Sequence, residues 1–240
     1  MLMATSLEDL FMNVTEKFPS SPSGQYYSSV NLNLYDSPQC NSLASQIAAG
    51  RHIKVLSSVL GEAVEVSSCE DNYAGWLTLQ DIKQLQSTSK PYQSVAISRE
   101  EIEQRIPEII AFTKAAMAEP NYYLWGGTVA PNYDCSGLMQ AAFSSQGVWL
   151  PRDSYQQAAF TTTITLDDLL PGDLIFFSKG RRVDHVALYL GEDSYIHSSG
   201  AKDGRNGIGI DSLIHQKDEI GTTYRQRITG AGRVVCSYRD

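Results

Sequence analysis

Asp134-Cys135-Ser136-Gly137-Leu138-Met139-Gln140-Ala141-Ala142-Phe143 is the stretch from which the rest of the chain is read. Cys135, Leu138, Met139, Ala142 and Phe143 recur at i, i+3, i+4, i+7 and i+8, which places them on one face of a helix spanning 135–146. Gly147 stands where such a helix ends. The apolar stripe therefore begins at a cysteine, and Asp134 before it is a good N-cap residue. Unpaired backbone N–H groups and the positive end of the helix dipole would favour the thiolate of Cys135, and the same N–H groups can bind an oxyanion. A thiol used in this way also needs a base.

The candidate base lies downstream. After Pro171-Gly172-Asp173 the chain reads Leu174-Ile175-Phe176-Phe177, a basic turn, His185-Val186-Ala187-Leu188-Tyr189-Leu190, a turn at 191–194, and Tyr195-Ile196-His197. Connections this short predict adjacent antiparallel strands. Alternation puts His185, Ala187 and Tyr189 on one face and Val186, Leu188 and Leu190 on the other, against the helices. His185, heading a strand beside the helix, is the candidate base, and His197 on the next strand is the candidate to orient its imidazole. A symmetric two-residue turn at Glu192-Asp193 pairs His197 with Leu188, off the level of His185, so contact requires a bulge or a shifted loop. Ile208-Gly209-Ile210 and Gly232-Arg233-Val234-Val235 add further strands. Upstream, Ser98-Arg99-Glu100-Glu101 has the pattern of a capping box opening a helix to about Glu119, with Pro120 as its stop. Helices packed on an antiparallel sheet give class α+β.

Toward the N-terminus the signals are those of short strands. Val30-Asn31-Leu32-Asn33-Leu34-Tyr35 alternates, Ile53-Lys54-Val55-Leu56 follows Gly50, Ala63-Val64-Glu65-Val66 alternates again, and Gly75-Trp76-Leu77 comes after. This spacing predicts a small all-β barrel. The expected divisions are a Pro- and Ser-rich lead-in at 1–24, the barrel at 25–87, a linker and helix start at 88–104, and the helix-and-sheet domain at 105–240.

With 240 residues there is room for two such domains. A formal charge of -8, with Lys and Arg scattered, repels a phosphate backbone and excludes nucleic acid as a partner. No stretch approaches the roughly 20 apolar residues that span a bilayer, so a membrane is not expected as a partner either. The first residues carry acids early and no base before Lys17, which predicts a cytoplasmic location. Cys40, Cys69, Cys135 and Cys236 form no CxxC pair, which argues against both a zinc knuckle and a disulfide framework. All but Cys135 read as small buried hydrophobes.

The blocks Tyr123-Leu124-Trp125-Gly126-Gly127 and Tyr133-Asp134-Cys135-Ser136-Gly137-Leu138 resemble the signature of NlpC-type cysteine endopeptidases, which have a papain-like core. Leu150-Pro151-Arg152-Asp153-Ser154, Pro171 to Phe177 and Asp184 to Leu190 match further blocks in the same order, over roughly residues 105 to 236. The resemblance implies Cys135 as nucleophile, His185 as base and then acid, and His197 as the residue that orients it, with no metal or organic cofactor. It also implies that Tyr123 joins the oxyanion hole and that Trp125 shapes the cleft floor. The barrel is similar to bacterial SH3-like modules, with Asn72-Tyr73-Ala74-Gly75-Trp76-Leu77 as its most recognisable piece. Together the parts look most like γ-D-glutamyl-L-diamino acid endopeptidases of murein peptide recycling. Their substrates are stem peptides with a free N-terminal L-Ala, such as L-Ala-γ-D-Glu-meso-diaminopimelate. In that likeness Tyr73 and Asp134 hold the substrate ammonium, and Ser136, Arg152 and Ser154 lie near the D-Glu carboxylate. The competing readings are an N-acetylmuramoyl-L-alanine amidase or acyltransferase on a related fold, and a non-catalytic wall-binding protein. The order of Cys before His argues against the acyltransferases, and retention of Cys and both His argues against the binder.

Overall fold

Short antiparallel strands build the first of two units, which divide between Ser94 and Val95 in the computed structural model. The structure describes residues 21, 23–56, 59–202, 204–215 and 217–239, so nearly all of the expected lead-in lies outside the described residues. The strands are β1 (Gln25–Ser28), β2 (Leu32–Tyr35), β3 (Leu43–Ile47), β4 (His52–Val55), β5 (Ala63–Ser68), β6 (Ala74–Thr78) and β7 (Leu85–Ser87), with a one-turn helix α1 (Leu79–Ile82) after β6. They lie in the order β3-β2-β6-β5-β4-β1-β7. Leu32, Leu34, Ile53, Val64, Val66 and Leu77, the inward residues of the alternating segments, form the core with Ile47. β3 was not legible in advance because its inward positions are Ser45 and Ile47, and a buried serine hides the alternation. The turn after β5 is tied down by Arg51, whose guanidinium meets Glu70 at 3.3 Å and Asp71 at 2.9 Å.

The second unit opens with α2 (Arg99–Ala118). Ser98 Oγ accepts from the Glu101 N–H at 3.3 Å and Glu101 Oε2 accepts from the Ser98 N–H at 2.8 Å, the expected capping box. A small hairpin, β8 (Thr128–Val129) and β9 (Asn132–Tyr133), leads into α3 (Cys135–Ser144), and α4 (Ser154–Phe160) follows. The strands β10 (Thr162–Ile164), β11 (Leu174–Phe177), β12 (His185–Gly191), β13 (Ser194–Ser199), β14 (Gly207–Ser212) and β15 (Ile228–Arg233) form one antiparallel sheet, with α5 (Glu219–Gln226) before β15. The sheet order is β10-β15-β11-β12-β13-β14. α3 stops two residues short of the expected end, and Gly147, at φ 75°, allows the chain to turn back so that the Val148 N–H reaches the Phe143 carbonyl.

The sheet separates two packed layers. Val186, Leu188 and Ile196 pack with Ile102, Ile106 and Ile109 of α2 and with Leu138, Met139, Ala142 and Phe143 of α3. On the opposite face Ile175, Phe177, Ala187, Tyr189 and Tyr195 pack with Leu213 and with Tyr224 of α5. His185 and His197 belong to that second face, as strand alternation from Ala187 and Tyr195 requires.

The connection between β12 and β13 supplies the bulge that contact between His185 and His197 requires. Glu192 and Asp193 do form the turn, at φ 50° and 59°. The register, however, slips between Tyr189 and Gly191, so that Leu188 pairs with Ile196 and Tyr189 with Tyr195. This one-residue bulge moves His197 past Leu188 onto the face of His185.

Candidate active site

Asp134 organises the start of α3. It caps the helix by accepting from the Gly137 N–H at 2.6 Å, and its other oxygen accepts from the Gly126 N–H at 2.9 Å. Arg152 grips both oxygens, at 3.2 and 2.6 Å, and also donates to Ser136 Oγ at 3.0 Å. Ser136 Oγ donates to Asp134 at 3.2 Å. The glycines follow from the same close packing. Gly126 needs its φ of 79° for the turn in which the Gly127 N–H reaches the Leu124 carbonyl, and a Cβ on Gly137 would collide with the Gly127 carbonyl.

These contacts change the expected roles of several residues. Asp134 does not wait for an ammonium, because both of its oxygens are already filled by protein donors. Arg152 is 2% exposed and its guanidinium is engaged inside the protein, so it acts as a brace and not as an open carboxylate receptor. Ser154 is buried as the first residue of α4. Trp125, expected at a cleft floor, stands 71% exposed. Tyr73 belongs to the first unit, where it packs half-buried against the barrel core. Of the cysteines read as buried hydrophobes only Cys69 is buried; Cys40 and Cys236 are partly exposed, and all four are free thiols.

The Cys135 thiol lies at the first position of α3 and is 6% exposed. The backbone N–H groups of Ser136 and of Val186, the residue after His185, both point at it. The nucleophile is thereby held against the first peptide unit of β12. Its pKa runs opposite to the expectation: burial, with the Asp134 charge second, pushes the thiol up to about 12, and the two N–H groups and Arg152 do not compensate. Burial, with His197 and Arg227 next, holds His185 well below the ordinary imidazole value. The pair therefore rests as neutral thiol and neutral imidazole.

His185 Nε2 lies 2.7 Å from His197 Nδ1, with the rings 5.0 Å apart and nearly perpendicular. His197 Nε2 in turn lies 2.9 Å from Asp211 Oδ2. Arg205 spans Asp211 and Asp218, with Nε 3.1 Å from Asp211 Oδ2 and Nη1 3.1 Å from Asp218 Oδ2. Asp211 and Arg205 lie outside the site residues expected from the sequence, although the signal for Asp211 is present there. Gly207, Gly209 and Asp211 alternate as the buried residues of β14, and Gly209 pairs with His197. A carboxylate at an inward strand position beside a histidine is the pattern that could have found it. The ring of Tyr224 packs against both imidazoles, at 4.8 and 4.7 Å. Tyr123 completes the site: its phenol, near the Cys135 sulfur and the Asp134 carboxylate, is pushed well up by burial and stays an O–H donor.

A model of the NlpC/P60 family matches residues 120–226, and one described as the bacterial dipeptidyl-peptidase SH3 domain matches residues 34–82. A probable endopeptidase p60 of Listeria seeligeri is 38% identical over 112 residues, 47% of this chain and 19% of that protein. A gamma-D-glutamyl-L-lysine dipeptidyl-peptidase of Bacillus subtilis strain 168 is 42% identical over 80 residues, 32% of this chain and 27% of that protein. The chain thus spans well under half the length of these curated relatives. Among solved structures, an NlpC/P60 family protein of Bacillus cereus ATCC 10987 aligns with a TM-score of 0.49 and 22% identity, over 93% of this chain and 66% of the other.

Proposed function

We propose, from the premise that residues 120–226 are an NlpC/P60 domain and residues 34–82 a bacterial dipeptidyl-peptidase SH3 domain, that the chain is a cysteine peptidase of peptidoglycan peptides. The bond it cuts joins γ-D-Glu to the following diamino acid, in peptides with a free N-terminal L-Ala. One observation carries the reading: a thiol is held beside the first peptide of β12, where the imidazole of His185 is engaged through Nε2 by His197 at 2.7 Å. Engagement of Nε2 leaves Nδ1 as the nitrogen available to the thiol.

In the proposed reaction the proton of Cys135 passes to His185 Nδ1 as sulfur attacks the scissile carbonyl carbon. The oxyanion that forms accepts hydrogen bonds from backbone N–H at the start of α3 and from the Tyr123 phenol. Collapse breaks the carbon–nitrogen bond, and the leaving amine takes the proton from His185. Water, deprotonated by His185, then hydrolyses the thioester and releases Cys135 as the thiol. A resting neutral pair suits this sequence, since the proton moves only once substrate has arrived to accept the sulfur.

Support for the γ-D-glutamyl bond and the free amino end comes from the dipeptidyl-peptidase relative. Asp134 offers no such support, its oxygens being filled. Wild type and Cys135→Ala are incubated with L-Ala-γ-D-Glu-meso-diaminopimelate and the products followed by mass. Release of L-Ala-D-Glu by the wild type alone is expected, and no turnover of any such peptide sinks the proposal. N-acetylating the L-Ala tests the finer part, because equal cleavage of blocked and free peptides rejects a requirement for the amine.

A further inference from the structure

The relay behind His185 ends in a carboxylate for which the proposed peptidase chemistry has not yet found a use. We propose that Asp211 is a positioning residue: through a single file of hydrogen bonds it sets the tautomer of both imidazoles and leaves Nδ1 of His185 as the unprotonated base. The inference rests on the peptidase reading above and adds to it a residue outside the triad of Cys135, His185 and His197.

The hydrogen-bond roles follow from what each group can donate. Burial works against the charge of Asp211, but hydrogen bonds from His197 and Arg205 outweigh it and hold the carboxyl at about 2, so at neutral pH it only accepts. The 2.9 Å contact therefore puts a proton on His197 Nε2. Burial keeps His197 below its ordinary imidazole value despite Asp211, so the ring is neutral and its Nδ1 is a lone pair. The 2.7 Å contact can then be satisfied only by a proton on His185 Nε2. His185, neutral as well, is left with an unprotonated Nδ1.

Asp211 is itself held by its neighbours. Arg205 reaches both of its oxygens and continues to Asp218, the N-cap of α5, which accepts from the Gly221 N–H at 2.9 Å. The other ionisable groups facing this file are Tyr195, Tyr224, Arg227 and Lys179; the Arg227 charge disfavours a second proton on either imidazole and the Lys179 charge does so on His185, so both work toward the neutral rings that the file requires. With an asparagine at 211 the amide can donate to His197 Nε2. Its Nδ1–H would then donate to His185 Nε2, and the proton would sit on the nitrogen that must be empty.

The experiment compares the full-length wild type, Asp211→Asn and Asp211→Ala. Imidazole tautomers are read by NMR of heavy-nitrogen-labelled histidine at about pH 8, above the ordinary imidazole value of about 6.5. The wild type is expected to carry protons on Nε2 of both His185 and His197, and Asp211→Asn on Nδ1. In kinetics with L-Ala-γ-D-Glu-meso-diaminopimelate, Asp211→Asn is expected to lose about 100-fold in kcat with KM little changed. That is less than the ~10⁴ seen when the aspartate touching the base of a serine protease is changed to asparagine, because Asp211 acts one imidazole further away. Asp211→Ala should retain more activity than the isosteric Asp211→Asn, the reverse of what a merely structural role gives. A wild-type His197 protonated on Nδ1 overturns the proposal, as does an Asp211→Asn enzyme with wild-type kcat. If the wild type cuts no peptide the peptidase reading fails, yet the wild-type tautomers still decide the role of Asp211.

Discussion

The helix side and the sheet side of the site each end in a buried aspartate held by an arginine, and the two pairs are built differently. On the helix side Asp134 is saturated: Arg152, the N–H groups of Gly126 and Gly137, and Ser136 fill both oxygens. On the sheet side Asp211 keeps one oxygen facing an imidazole, and that imidazole faces another. A saturated carboxylate is a fixed point, able to hold a helix start and its thiol but not to transmit a change. A carboxylate whose partner is a neutral histidine lets the position of one proton be set at a distance. The same residue types thus make a brace in one place and a relay in the other.

The largest effect expected to probe this contrast is that of Arg152→Met. It strands the Asp134 charge in a buried site, and the loss should be about 3–5 kcal/mol in denaturant unfolding. Arg205→Met, by contrast, removes a partly exposed partner and leaves Asp211 its hydrogen bond from His197, so it should cost less, about 1–2 kcal/mol. Equal losses would erase the distinction between brace and relay.

Acid should act on the relay next. His185 and His197 both have folded pKa values below their unfolded value of about 6.5, so below that pH the unfolded chain takes up protons that the folded chain refuses. Stability falls as pH drops from about 6.5 toward the folded values, by at most about 1.4 kcal/mol per pH unit for each histidine. A melting temperature that holds steady from neutral pH down to about pH 5 would show that the imidazoles are not buried neutral.

Gly137→Ala forces a methyl group onto the Gly127 carbonyl and should cost about 1–3 kcal/mol, with activity falling as the helix start shifts. The smallest change is expected at the remote cap. Ser98→Ala should lower stability by about 1 kcal/mol and leave kcat alone.

Much of this arrangement could be read from residue order. The helix starting at Cys135, its cap at Asp134, the capped helix at Ser98 and the strand pair holding His185 and His197 all depend on local rules of spacing and capping, which act over a few residues. The glycines around the motif were visible too, although the reason for Gly137 was not, because it is the approach of the Gly127 carbonyl. Strand β3 escaped because a buried serine mimics a polar face.

By itself, then, the sequence determined the helix that presents the thiol, the strands that carry both imidazoles, and the α+β class. Only the tertiary structure decided that the imidazoles meet, because a one-residue bulge between Tyr189 and Gly191 reverses which face His197 occupies, and no local propensity specifies that slip. It also decided that Asp134 is spent on Arg152, that Asp211 stands behind His197, and that the thiol rests protonated. Each of these depends on desolvation and on donors brought from distant parts of the chain, quantities that come into being only when the segments pack.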